Sequence, residues 1–283
     1  MIYVSSSCVY CSKIGDSVEE LASKGFRNIE LSGGTEYYDG FEQDLLELKD
    51  KYNLNYLCHN YFPPPKEHFV LNLASLDDGI FNKSIEHLKK AVSLSAILGA
   101  SKFGFHAGFF IDINTAEIGR KISRKAINNA EKALHRFIEG YNEILNYSKG
   151  VKLYLENNVF SGANYATYEG ENIFMLCCSE AYHELSKKIS FNLLLDVAHL
   201  KVSSQTLGLD FNEELNNMLT LSDYVHVSSN DGVSDLNLSL VKDPVLIDML
   251  KKHGIGGKDV TLEIYEDIGS LKDSYDVLKE LVL

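Results

Sequence analysis

Three carboxylates and one imidazole in this chain stand where apolar runs would otherwise exclude charge. Glu156 follows Leu153-Tyr154-Leu155, Asp196 follows Leu193-Leu194-Leu195, Glu263 follows Val260-Thr261-Leu262, and His226 sits within Tyr224-Val225-His226-Val227. A carboxylate buried at the end of a strand is costly unless it is paired, hydrogen-bonded or bound to a cation. No Arg occupies the corresponding ends to serve as partner. A divalent metal ion held by Glu156, Asp196, His226 and Glu263 is therefore the economical solution, and this donor set suits Zn, Mn, Fe or Co. Neighbouring runs end in further polar groups: His59 and Asn60, His106, Asn157 behind Glu156, His199 after Asp196, and Ser228 after His226. Taken singly, His59 or His106 is more often a satisfied core histidine than a ligand. Repetition of the pattern over six consecutive runs is harder to assign to packing alone.

Such convergence needs strands that end at one level. Short β-rich runs over 2–6, 28–31, 54–59, 102–106, 152–156, 190–196, 224–228 and 259–264 alternate with helical patterns over 17–24, 41–52, 80–98, 118–147, 173–187, 212–221, 244–253 and 271–281. Eight βα units, with no Pro- or Ser-rich linker between them, predict a single-domain (β/α)8 TIM barrel over 1–283. An open doubly wound sheet is the competing arrangement. In a barrel the carboxyl ends of the strands build the active site, and that is where these residues fall.

Composition narrows the partners. With 27 Lys plus Arg against 40 Asp plus Glu, the net charge is −13, which disfavours a nonspecific nucleic-acid coat, since that needs a basic face. The segments 32–40, 60–66, 157–170 and 228–241, expected at the barrel mouth, hold one Lys and no Arg. No stretch approaches roughly 20 apolar residues, and no basic leader precedes an apolar core, so a cytoplasmic protein without membrane contact is expected. Five cysteines fit a reducing compartment better than a disulfide scaffold. The Cys8–Cys11 pair has no second pair to complete a thiolate zinc site, and Cys177 and Cys178 read as packing residues of a helix.

At these residues the chain resembles the xylose isomerase-like barrel superfamily. In its sugar isomerase and epimerase branch, the strand-end Glu, Asp, His and Glu that hold the metal correspond to Glu156, Asp196, His226 and Glu263. The resemblance implies that Glu156 and Glu263 also form the acid/base pair in proton abstraction next to a carbonyl, through a metal-bound enediolate. The expected substrate is then a small sugar or sugar phosphate, with His199 orienting a substrate oxygen and Asn60, Asn157 and Ser228 available to its hydroxyls. The arginine that some keto-sugar epimerases carry after the strand-seven histidine falls here on Gly232. The related endonuclease IV branch has patterns similar to GFHAG around His106, LENN around Glu156 and LDVAH around Asp196 and His199. It implies a second metal on His59, His106 and bridging Glu156, and makes a metal-dependent phosphodiesterase the alternative reading. Its third site needs an Asp-x-His partner for His199, and the chain offers Asp235-Leu236-Asn237. A catalytically silent sugar-binding barrel is the remaining alternative. Barrels of this kind often dimerise, so a homodimer is open.

Overall fold

The computed structural model describes residues 1–118 and 120–282. Eight parallel strands, β1 (Ile2–Ser5), β2 (Asn28–Leu31), β3 (Asn55–His59), β4 (Lys102–His106), β5 (Lys152–Glu156), β6 (Asn192–Asp196), β7 (Tyr224–Val227) and β8 (Asp259–Leu262), pair in chain order, and β8 closes on β1. The predicted (β/α)8 barrel is thus the observed fold. Around it run α1 (Ile14–Ser23), α2 (Phe41–Tyr52), α3 (Asp78–Leu98), α4 (Ala130–Tyr147), α5 (Gly162–Thr167), α6 (Ser179–Ser186), α7 (Val197–Leu207), α8 (Phe211–Leu219), α9 (Pro244–His253) and α10 (Ile268–Val282).

Two cores divide the strand faces. Outward residues such as Ile29, Cys58, Leu155, Leu195, Val225 and Leu262 join the helices in one large cluster. Inside the barrel, Tyr3, Leu57, Tyr154, Leu194 and Tyr224 form a separate layer. Side chains alternate along a strand with period two. Two residues beyond Leu57, Tyr154, Leu194 and Tyr224, on the same inward face, therefore stand His59, Glu156, Asp196 and His226. Register keeps them level, since His106 pairs with Glu156 and Asp196 with His226. Room for this layer depends on Gly104 in β4, where a Cβ would meet Leu194 Cδ2 at 2.6 Å and His59 Cδ2 at 3.0 Å. The opposite end of the barrel is tied by ion pairs, among them Lys102 with Asp259 at 3.0 Å.

Two helical expectations need correction. The pattern over 118–147 becomes a helix only from Ala130, where Asn129 caps it by accepting the Lys132 N–H at 2.9 Å. The preceding segment instead spends its backbone on tertiary partners: Asn128 N–H donates to Phe110 O and Ile122 N–H to the Asn164 side chain. Part of the helix expected over 173–187 is extended, with Phe174 bridging Phe109 antiparallel, and α6 starts only at Ser179, whose N–H and hydroxyl both bond Glu214 at 2.7 Å. Cys177 and Cys178 consequently lie outside a helix, and all five cysteines are free. Two helices, α5 and α7, have no counterpart among the helical patterns of the sequence. Among the described residues no helix is long and apolar enough to cross a membrane.

Candidate metal centre

The site is built around His226, fully buried at the end of β7. Its Nδ1 lies 3.5 Å from Glu156 Oε1, 3.7 Å from Glu263 Oε2 and 4.0 Å from Asp196 Oδ2. One nitrogen thus faces a carboxylate from each of β5 and β6 and one from just beyond β8, without a hydrogen-bond partner of its own. The other nitrogen, Nε2, is 2.9 Å from Glu30 Oε1. Glu30 is completely buried on β2, and its second oxygen accepts the hydroxyls of Thr261, at 2.6 Å, and of Tyr224. Glu30 escaped the sequence reading because NIEL is short and leads to no imidazole. Its signal is a charge on the inward face of a strand whose flanking residues, Ile29 and Leu31, face outward into the core.

Asp196 holds two positions at once. Its Oδ1 accepts the His199 N–H at 2.7 Å, capping α7, while Oδ2 faces His226. A side-chain oxygen at this position satisfies an otherwise free amide of the first turn. That cap places His199, one turn on, beside the same cleft. The His199 ring donates from Nδ1 to Asn157 O at 2.9 Å and points Nε2 at Asp235 Oδ2, 3.3 Å away. Asn157 in turn clamps β6, donating to Asp196 O at 2.9 Å and accepting Asp196 N–H at 2.7 Å.

Glu156 connects this group to a second one. Its Oε2 lies 2.8 Å from His59 Nε2 and 3.0 Å from His106 Nδ1, while Oε1 turns toward His226. Glu156 thus joins His59 and His106 on one oxygen to His226 on the other, while Asp196 and Glu263 meet the group at His226 Nδ1. Asn60 is buried with both side-chain polar atoms unpartnered, and it lines the cleft. The Ser228 hydroxyl instead donates to Asn237 Oδ1 at 3.0 Å, so Ser228 reaches the cleft only by way of Asn237.

Electrostatics separate the two glutamates. Burial raises the Glu263 carboxyl to about 8, an effect that Asp196, Glu30 and Glu156 reinforce and His226 opposes. Burial acts on Glu156 too, but His106 and His59 outweigh it and hold that carboxyl well below its ordinary value. His226 is disfavoured as a cation by burial, yet Glu30 and Glu263 raise it well above the usual imidazole range. For His199, burial is overcome by Asp196 and Asp235. The centre is thus an excess of carboxylates that retains protons to limit repulsion.

A metal ion fits here. His226 Nδ1 is orphaned among three carboxylates, its other nitrogen stands 2.9 Å from Glu30 Oε1, and among the described residues no Lys or Arg lines the cleft of about 740 Å³ above it. A carboxylate on the far nitrogen is how proteins orient a ligating imidazole.

A closed eight-stranded barrel with carboxylates and imidazoles at the carboxyl ends of its strands defines the xylose isomerase-like class. The chain belongs to that family, the xylose isomerase-like TIM barrels, which it matches over residues 18–281. A probable endonuclease 4 from Thermotoga maritima is 33% identical over 110 residues, covering 39% of this chain and only 31% of that protein. Among solved structures, a D-tagatose 3-epimerase-like protein superposes with a TM-score of 0.73 at 19% identity, over 99% of this chain and 96% of the other. Endonuclease IV from Thermus thermophilus gives 0.60 at 16% identity over 99% of both chains. A 3-keto-D-glucoside 4-epimerase from E. coli gives 0.65 at 10% identity, over 99% of this chain and 98% of the other. At these identities the likeness is one of fold.

Proposed function

We propose that this protein is a divalent-metal-dependent isomerase or epimerase that moves a proton α to the carbonyl of a sugar or sugar derivative. The observation that carries the reading is the convergence of Glu156, Asp196 and Glu263 on His226 Nδ1, with the opposite nitrogen held by Glu30. Glu156, Asp196, His226 and Glu263 would hold the cation. When bound, it supplies Lewis acidity that makes the C–H beside a chelated carbonyl acidic.

The chain's residues do the rest. Glu156 and Glu263 approach from strands three places apart in the barrel, so they can address a substrate from two sides. One removes the proton; the other returns one to the opposite face, giving an epimer, or to the adjacent carbon, giving an isomer. Asn60 offers a free amide to a hydroxyl. His199, braced by Asn157, presents Nε2 to the cleft beside Asp235.

A phosphodiesterase remains the second reading because of two specific contacts, the His59–Glu156–His106 group and the His199–Asp235 pair. They would suit additional metals. Against a full trinuclear site stands Asn237, whose amide is committed to Ser228 and is a poorer zinc donor than imidazole. The loop after β4 carries Arg120, Lys121, Arg124 and Lys125, and Arg120 and Lys121 line a cleft that shares His106 and His199 with the polar one. Arg124 and Lys125 are ion-paired to Glu169 and Glu117.

Metal-loaded protein incubated in deuterium oxide with ketoses, their phosphates and keto-glycosides should incorporate deuterium at the carbon next to the carbonyl. Absence of exchange throughout the panel, together with cleavage of a duplex containing an abasic site, would replace this reading with the hydrolytic one.

A further inference from the structure

Beside the polar cleft lies a second of about 390 Å³. The two share Tyr61, His106, His199 and Asp235, so a molecule seated over Glu156 borders the second space directly. Its walls come from the two segments that departed from expectation and from one mouth loop. The segment after β4 supplies Phe109, Ile118 and Ile122, the Phe109–Phe174 bridge braces it, and the loop after β7 adds Val233 and Leu236.

Of the polar side chains in these walls, Arg120 and Lys121 are exposed to solvent, and three of the others are already engaged. Asn158 Nδ2 donates to Met175 O at 2.8 Å and to Ala107 O at 3.0 Å. Asn164 Oδ1 accepts the Ile122 N–H at 2.9 Å, and Glu117 is taken up by the Ser123 N–H and Lys125, both at 3.0 Å. What remains to face the space is largely apolar. Around it Ile118, Val233 and Leu236 are 42%, 51% and 43% exposed. Clustered exposed aliphatic side chains of this kind mark a surface that binds something. Continuity with the polar cleft says what: the other half of the molecule on which the metal centre acts.

We propose that the substrate is a sugar derivative with an apolar arm, an alkyl or aryl group in glycosidic linkage. The carbonyl-bearing ring lies over Glu156 and the arm fills the side cleft between Phe109, Phe174 and Leu236. This rests on the proton-transfer reading and adds to it the class of substrate. Ring contacts then serve chemistry, whereas arm contacts serve selection, because burying an apolar group favours longer arms without touching the reacting carbon.

The test uses methyl, butyl and hexyl 3-keto-glucosides with the Mn²⁺-loaded protein in deuterium oxide. KM for deuterium incorporation should fall by about fourfold per methylene over the first few carbons. Val233→Ser with Leu236→Ser should flatten that series, while Val245→Ser, on α9 and 61% exposed, should leave it intact. Exchange with the same KM for all three arms would overturn the side-cleft assignment and leave the proton-transfer reading standing. Calorimetric titration with the unoxidised methyl, butyl and hexyl glucosides separates the opposite case: a length-dependent affinity that the double variant abolishes, without exchange of any keto sugar, keeps the cleft and removes the chemistry. Neither exchange nor a length dependence would overturn both.

Discussion

Glu30 Oε1 stands 2.9 Å from His226 Nε2, and this contact turns the other nitrogen of the ring toward Glu156, Asp196 and Glu263. Glu30 is itself held by Thr261 and Tyr224, so the imidazole is oriented by a carboxylate that cannot swing. Glu30→Gln should lower metal affinity by about 10- to 100-fold, as loss of the group that orients a ligating imidazole does. Metal-buffered titration of the variant measures this, and unchanged affinity would show that His226 is positioned by packing alone.

Glu263→Gln should abolish deuterium exchange on the metal-loaded protein. Glu19→Gln should not, because Glu19 is half-exposed and its pairing with Lys51 lies on the surface. Exchange rates equal in both variants would remove Glu263 from the reaction.

The metal-free protein should lose stability as pH rises. Glu263, raised to about 8, binds its proton more tightly when folded than its ordinary carboxylate range allows. Its contribution is fully present below that range and is lost as pH climbs toward 8. His226 and His199, both raised, contribute in the same direction above about pH 6.5. Glu156 is lowered, so its contribution is complete above about pH 4.5 and does not offset the loss. For each proton retained only by the folded chain the slope is about 1.4 kcal/mol per pH unit. Thermal melts between pH 6.5 and 8 should therefore fall without metal, and the stabilisation gained on adding Mn²⁺ or Zn²⁺ should grow over the same interval, since the ligands must be deprotonated. A melting temperature of the metal-free chain that rises across this window would contradict the arrangement of charges.

Gly104→Ala should destabilise the barrel by about 1–3 kcal/mol, the usual cost of overpacking, and should also displace His59, whose ring is 3.0 Å from the added carbon. Chemical denaturation measures the first effect. The second appears as a shift of the His59 ring signals in NMR spectra, and an undisturbed ring would mean that Leu194 alone yields.

Much of the centre was legible because a strand writes its inward face at every second residue. Tyr154 then Glu156, Leu194 then Asp196, and Tyr224 then His226 each read as an apolar inward residue followed by a polar one at the mouth. The barrel follows from the same runs and their spacing. Glu30 was illegible because its reason for being buried, the far nitrogen of His226, lies 196 residues away in the chain. The loop after β4 misled for another reason: its apolar residues keep a helical spacing, yet Ile122 and Asn128 find backbone partners in Asn164 and Phe110. Likewise α7 was missed because its cap, Asp196, was read only as a ligand when it is also the start of a helix.

The division of labour within Asp196 limits its denticity. One oxygen is engaged by the His199 amide, and one oxygen of Glu156 faces His59 and His106, so each of these carboxylates has a single oxygen free for a cation. The residue that starts α7 thus also decides how much of its own carboxylate a cation would find free, so a change at the start of that helix would reach the centre without touching any other ligand.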